Sequence, residues 1–290
     1  MTGFYSTTEL YQSFNLVKNC CYKSLVGDFF YVDSGLETGD AIVFLHGFTG
    51  SSRDFFTISD FINNKYRCLM PDLPGHGKTS VWEDGDVFPT NGQVLLLEQW
   101  LDFLGVGKFH LFGYSMGGRL ALQFAVKNSS RLHSLILVST TAGIESESVR
   151  QARRQADEKL AEKIINSDPL DFLNFWLTQP LFQGIVEKGK DFLDREIARR
   201  LPIQPAGLAC SLKHFGSGVM PSVWHLLSDI QTPALVIAGL RDRKYLEIAS
   251  QLVEIMPNAQ LKTLETTHAP LIESPDLLWQ QIGDFWQISH

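Results

Sequence analysis

Ser115 lies in the run Gly113-Tyr-Ser-Met-Gly117, between an apolar stretch, Phe109-His-Leu-Phe112, and a helical pattern that begins at Met116. A G-x-S-x-G run between strand and helix is the setting of a nucleophilic serine. The hydroxyl is lifted on a tight, strained turn, and a Cβ at the flanking positions would collide with neighbouring chain. A plain glycine turn with an exposed serine would need neither flanking element. Such a serine requires a histidine to take its proton and an acid to hold that histidine. Of the eight histidines, His268 in Glu265-Thr-Thr-His-Ala-Pro270 falls in a loop after the last strand candidate and before the final helix. His46 follows a strand, but its neighbours give it a structural role holding the adjacent loop, and His76 sits in a turn-rich Pro-Gly-His-Gly run. Asp242 in Gly239-Leu-Arg-Asp-Arg243 comes directly off an apolar strand, at the carboxyl edge where such sites are built, although a helix N-cap would also want an aspartate there. Asp229 precedes that strand, at the wrong edge. His46-Gly-Phe-Thr-Gly50 can fold so that backbone N–H groups face the serine. Phe48 and Met116 are the two candidate donors of an oxyanion hole, and a plain strand-to-helix loop is the alternative.

The elements that must position these residues alternate between strand and helix, the pattern of an α/β fold with a mostly parallel sheet. Strands are expected at Asp28–Val32, Ala41–Leu45, Arg67–Pro71, Phe109–Gly113, Leu132–Val138, Ala234–Ala238 and Gln260–Leu264, several of them apolar on both faces, as buried parallel strands are. Helices are expected at Ser51–Asn63, Asn91–Leu104, Met116–Asn128, Pro221–Leu227, Tyr245–Ile255 and Pro275–Phe285, the last opened by Ser274 as N-cap with proline at the first helical position. Ile144 to Gly216 has no convincing strand and reads as an inserted helical cap. It carries eleven basic and eleven acidic residues, so the net charge of −7 resides in the rest of the chain. The expected organisation is therefore an N-terminal extension over 1–27, a core in two parts, 28–143 and 217–290, and a cap over 144–216.

Arginine adds a second kind of chemistry. Arg119 is four residues after Ser115, so both can share one helix face. Arg150, Arg153 and Arg154 cluster in the cap, as do Arg199 and Arg200, and a guanidinium is the side chain best matched to a carboxylate. Arg153 with Asp157 and Glu196 with Arg200 are also i, i+4 pairs that would serve a solvated helix equally well.

Composition excludes several classes. The surplus of acidic over basic residues, 32 against 25, opposes a broad nucleic-acid footprint. The longest apolar runs are far shorter than the roughly 18 residues of a membrane span, and no secretory signal is visible. Cys20, Cys21, Cys68 and Cys210 show no metal-ligand spacing and fit a reducing, cytoplasmic compartment.

From Phe29 to Trp286 the chain resembles the α/β-hydrolase superfamily, including the turn Pro71-Asp-Leu-Pro-Gly-His-Gly77. Within it, His46-Gly-Phe-Thr-Gly-Ser51, Gly113-Tyr-Ser-Met-Gly-Gly-Arg119 and Gly239-Leu-Arg-Asp-Arg-Lys244 resemble the 2-succinyl-6-hydroxy-2,4-cyclohexadiene-1-carboxylate synthases. These act in menaquinone and phylloquinone biosynthesis, eliminating pyruvate from a precursor with three carboxylates. The resemblance implies an α/β-hydrolase fold with a helical cap, a site between cap and sheet, and a lyase in which Ser115, His268 and Asp242 abstract a proton without metal or organic cofactor. It also implies that Arg154 in Ala152-Arg-Arg-Gln155, Arg200 (or its neighbour Arg199) in Ala198-Arg-Arg-Leu201, Trp176 and Tyr114 bind a small tricarboxylate. Lys213 stands where the family has arginine. A serine hydrolase of esters, or of carbon–carbon bonds in ring-cleavage products, would use the same triad but gain nothing from several guanidinium groups. A non-catalytic scaffold would have no need of all three triad residues.

Overall fold

A computed structural model of the chain describes residues 18–24, 27–36, 39–56, 65–79 and 88–288. Its centre is an eight-stranded sheet in the order β1-β2-β4-β3-β5-β6-β7-β8. The strands are β1 (Lys18–Ser24), β2 (Gly27–Asp33), β3 (Ala41–Leu45), β4 (Arg67–Pro71), β5 (Phe109–Tyr114), β6 (Leu132–Val138), β7 (Ala234–Gly239) and β8 (Ala259–Leu264). β2 runs antiparallel to both its neighbours, and all pairs from β4 to β8 are parallel. The central strands are buried on both faces because alternate side chains serve two different cores. Val43, Leu45, Leu111, Leu135 and Val236 face one of these, under α1 (Thr90–Phe103), α2 (Met116–Asn128) and α8 (Arg243–Ile255). Ile42, Phe44, Phe112, Ile136 and Ile237 face the other, with α10 (Pro275–Ile288) and the inner side of the cap.

Between β6 and β7 the chain forms five helices: α3 (Glu147–Asn166), α4 (Pro169–Leu177), α5 (Gln183–Glu187), α6 (Lys190–Arg200) and α7 (Pro205–Phe215). They are seated on the sheet's carboxyl edge by polar contacts at several points. Arg53 donates to the Leu201 carbonyl (3.3 Å), Gln204 to the carbonyls of Gly77 and Thr79, and the His268 N–H to the Leu181 carbonyl. Arg241 makes a two-point ion pair with Glu187.

Two expectations need correction, and a third lies partly outside the described residues. The segment read as an extension over 1–27 contributes β1, whose side chains alternate between exposed and half-buried positions on an edge strand and so lack the apolar signature of the inner strands. Pro221–Leu227 is not a helix. Val223 N–H is taken by the Ala142 carbonyl and the Trp224 indole by the Gly143 carbonyl, which leaves only a 3-10 turn over Trp224–Asp229. The helix expected at Ser51–Asn63 begins as a 3-10 turn, Ser52–Phe55, and its second half lies outside the described residues. A further short helix, α9 (Pro270–Glu273), precedes α10.

Two buried histidines tie the β3 loop to the β4 loop. The His46 Nδ1–H donates to the Gly47 carbonyl (2.8 Å) and its Nε2 accepts from Leu73 N–H (2.9 Å). His76, its ring centre 5.1 Å away, donates from Nδ1 to the Pro74 carbonyl. Burial pushes both imidazoles down from their ordinary value, His76 to about 3. Between about pH 6.5 and 3 the unfolded chain therefore binds protons that the folded chain excludes, so stability falls as pH drops through that window. The urea midpoint should decrease from pH 7.5 to 5.5, and the decrease should be smaller in His76→Asn, which keeps a donor for Pro74 but does not titrate. An equal decrease in the variant would contradict this assignment.

Candidate active site

Ser115 occupies the turn between β5 and α2 with φ 50° and ψ −106°, a left-handed backbone that a non-glycine residue adopts only under constraint. The constraint is the packing of α2 onto the sheet. A Cβ on Gly117 would lie 2.1 Å from the Leu45 carbonyl oxygen, and one on Gly113 2.5 Å from the Gly118 Cα. The serine is held by Ser115 N–H to the Val138 carbonyl (2.8 Å) and by the Thr140 hydroxyl donating to the Ser115 carbonyl (2.8 Å).

Ser115 Oγ lies 2.9 Å from His268 Nε2, and His268 Nδ1 lies 2.7 Å from Asp242 Oδ2. An ionised carboxylate only accepts, so the ring proton sits on Nδ1 and Nε2 is left to accept from the serine hydroxyl. Asp242 is at once the N-cap of α8, its Oδ1 accepting from Tyr245 N–H at 3.3 Å. One oxygen of Asp242 thus caps the helix and the other meets His268. His268 is itself fixed by Glu273, whose buried carboxylate accepts from the N–H groups of Thr267 and Ala269 and from the Thr267 hydroxyl.

On the opposite wall, Phe48 and Met116 line the same pocket as Ser115. Met116 is the first residue of α2, where a backbone N–H has no intrahelical partner. In the loop that carries Phe48, Thr49 has φ 65°, and Gly47 passes so close to Tyr114 that a Cβ would meet its ring at 2.8 Å.

Serine, histidine and aspartate in one hydrogen-bonded chain at the carboxyl edge of a mostly parallel sheet, with a helical insertion above, form a recognisable architecture. Residues 40–275 match the family model of the alpha/beta hydrolase fold. The chain belongs to the α/β-hydrolase family. A Bacillus subtilis protein provisionally named 2-succinyl-6-hydroxy-2,4-cyclohexadiene-1-carboxylate synthase is 33% identical over 254 residues, which cover 87% of this chain and 92% of that protein. A Salmonella enteritidis synthase of that name is 28% identical over 75% of this chain and 84% of its own. The solved structure of MenH from S. aureus superimposes with a TM-score of 0.84 at 32% identity, covering 90% of this chain and 98% of that one.

Among the described residues, three cations and one carboxylate, Asp54, line the Ser115 pocket. Arg119, Arg153 and Arg200 line it together with Trp176, Tyr114 and Tyr245. Arg119 donates to the Phe215 carbonyl (2.7 Å) and approaches Met220 Sδ, and among the described residues no carboxylate pairs with it. Desolvation lowers its pKa to about 10, which leaves it charged at neutral pH. Arg153 is oriented by Asp157 (2.9 Å from Nε) and Arg200 by Glu196 (2.8 Å from Nη1). Arg199 turns away, pairing with Asp54 at 3.1 Å. Arg154, expected at the site, is not among the residues lining this pocket: its guanidinium reaches Glu147 and the Gly218 carbonyl, and Arg153 lines the pocket instead, adjacent helix residues pointing about 100° apart. Trp176 packs edge-on against Phe48, ring centres 5.3 Å apart. Lys213 lies in a separate groove with Arg154 and Glu158.

Tyr245 escaped the sequence reading. Its ring centre is 4.4 Å from that of His268, and the signal was available, since it is three residues after Asp242 on the first turn of α8. Gly117→Ala should destabilise the protein by about 1–3 kcal/mol, because the Leu45 carbonyl is sheet backbone and cannot give way. A urea midpoint equal to that of the parent would refute the close-approach argument.

Proposed function

We propose that this chain is a 2-succinyl-6-hydroxy-2,4-cyclohexadiene-1-carboxylate synthase of menaquinone biosynthesis, with Ser115, His268 and Asp242 as its catalytic residues. The observation that carries the reading is the set of three guanidinium groups, Arg119, Arg153 and Arg200, around Ser115. A neutral ester has no use for them, whereas 2-succinyl-5-enolpyruvyl-6-hydroxy-3-cyclohexene-1-carboxylate carries three carboxylates. The names of the relatives support the same conclusion.

The reaction follows from the substrate's connectivity. The hydrogen on ring carbon 2 is α to the succinyl carbonyl and is the acidic one. Ser115 Oγ, its own proton passing to His268 Nε2, removes that hydrogen, and Asp242 stabilises the resulting imidazolium. Negative charge moves onto the succinyl carbonyl oxygen, which the N–H groups of Phe48 and Met116 would receive, assisted by the positive end of α2. The electron pair then forms the 2,3 double bond, the ring 3,4 double bond shifts to 4,5, and the bond from carbon 5 to oxygen breaks. The enolate of pyruvate departs and takes a proton from His268, leaving the cyclohexadiene. Serine acts here as a base and no acyl-enzyme forms. The reading implies a small tricarboxylate as the molecular partner and a reducing, cytoplasmic compartment, in which the four cysteines remain thiols as they are in the structure.

Incubating the protein with the enolpyruvyl precursor and following pyruvate release tests the assignment. Ser115→Ala and His268→Ala should each reduce kcat by about a thousandfold or more, because the triad acts as a unit. Near-parental turnover in either would sink the mechanism, and ester hydrolysis without pyruvate release would favour the hydrolase reading. The arginines supply a sharper discrimination: Arg119→Ala and Arg153→Ala should each lower kcat/KM about tenfold or more through loss of a charge-assisted contact. Arg154→Ala should change it by less than about twofold, and the reverse order would reassign the cap's pocket face.

A further inference from the structure

The pocket that contains Ser115 has a volume of about 100 Å³, well below the roughly 300–1,000 Å³ of cavities that enclose organic ligands. On the synthase reading, a ring bearing succinyl, enolpyruvyl and carboxylate groups does not fit within it. A second cavity of about 310 Å³ adjoins it, and both have Thr49 and Arg200 in their walls. This neighbour lies between the Arg199–Gln204 segment of the cap and two core loops, after β3 and after β4.

Its lining is strongly cationic. Among the described residues, Arg53, Lys78, Arg199 and Arg200 face one carboxylate, Asp72. Both Asp72 oxygens are already engaged, by Ser52 N–H (2.6 Å) and Lys78 N–H (2.7 Å). Arg199 and Arg200 are balanced by Asp54 and Glu196. Arg53 and Lys78 have no such balance among the described residues. Arg53 donates to the Leu201 carbonyl, Lys78 Nζ lies 4.7 Å from the centre of the Phe30 ring, and among the described residues neither has a carboxylate partner. Around the same cavity, Thr49 Oγ1, His76 Nε2 and the Nε atoms of Arg199 and Arg200 are buried without hydrogen-bond partners among the described residues. Buried orphaned polar groups are scarce in folded proteins, and four of them border this one space.

We propose that the cavity is a second chamber of the active site, in which Arg53 and Lys78 hold the carboxylate of one substrate arm while the reacting ring sits beside Ser115. Arg200 stands between the chambers and serves both. The arm is a short acyl or enol chain ending in a carboxylate. It is the succinyl arm or the departing pyruvyl arm, and these share the chemistry that the two cations recognise.

The inference rests on the synthase reading for its size argument, and the test separates the two. Arg53→Gln, Lys78→Gln and the double variant are assayed for pyruvate release alongside Lys262→Gln, which removes one positive charge on exposed β8 as a control. The double variant should raise KM about tenfold or more with kcat within about twofold and an unchanged melting temperature, while Lys262→Gln behaves as the parent. Competitive inhibition by succinate and by pyruvate assigns the arm: the inhibitor that loses potency in the double variant marks the group bound there, and either result supports the chamber. An unchanged KM together with unchanged inhibition by both acids overturns it. If the parent protein releases no pyruvate from the precursor, the synthase reading fails instead. Titration calorimetry of succinate and of pyruvate into parent and double variant then decides the chamber separately, equal affinities overturning it.

Discussion

The contact on which the site depends is the approach of helix α2 to strand β3, where Gly117 meets the Leu45 carbonyl at a distance no side chain can occupy. That approach forces Ser115 into a left-handed backbone and points its hydroxyl away from both elements. It also sets the first turn of α2 beside the loop that follows β3. The serine, the Met116 N–H and Phe48 are therefore brought together by one packing decision. Small residues at this crossing are local in sequence but act at long range: they fix how far the helix stands from the sheet, and hence where the hydroxyl lies relative to His268 on a loop more than 150 residues later.

Ion pairs within the cap raise a question that sequence alone left open. Arg153 with Asp157, and Arg200 with Glu196, have the spacing of ordinary helix-surface pairs, and both pairs form. Neither pair excludes a role at the pocket. Each carboxylate engages one part of a guanidinium and restricts its rotamers, so the remaining N–H groups are presented in a fixed direction. Burial adds to this, because the Arg200 side chain is only 5% exposed. A cap that is neutral overall can still present positive charge toward the sheet when its acids hold the arginines by their flanks.

The fold was legible because parallel strands buried on both faces leave continuous apolar runs, and the motif residues fell at the ends of those runs. What escaped notice did so for physical reasons. β1 is an edge strand with polar side chains on its open face, so Lys18–Ser24 carries no such run. Pro221–Leu227 has helical composition, but the Val223 N–H and the Trp224 indole are claimed by the loop after β6, tertiary contacts invisible in a local window. Arg153 and Arg154 are indistinguishable by type, and only the rotation of α3 against the sheet decides which turns inward. Glu273 sits five residues beyond His268 and orders its loop through two backbone amides and a hydroxyl, a role no spacing rule announces. Asp242 is the opposite case, since the N-cap of α8 and the partner of His268 demand the same residue at the same place.

Arg119 bears most directly on what such a site is for. It belongs to the first turn of α2, where the helix end is already positive, and its described partners are the Phe215 carbonyl, the Met220 thioether and the face of the Phe215 ring. A cation so placed costs stability, as its lowered pKa records, because burial strips its hydration and the neighbouring Arg153 charge opposes it, while among the described residues no carboxylate pairs with it directly. An α/β-hydrolase acting on an uncharged ester would carry that cost with nothing in return, and neutral side chains would relieve it at no loss to a Ser-His-Asp chain. On the proposed function a bound anion would supply the missing counter-charge, and the same desolvation that weakens the empty protein would strengthen the contact in the complex.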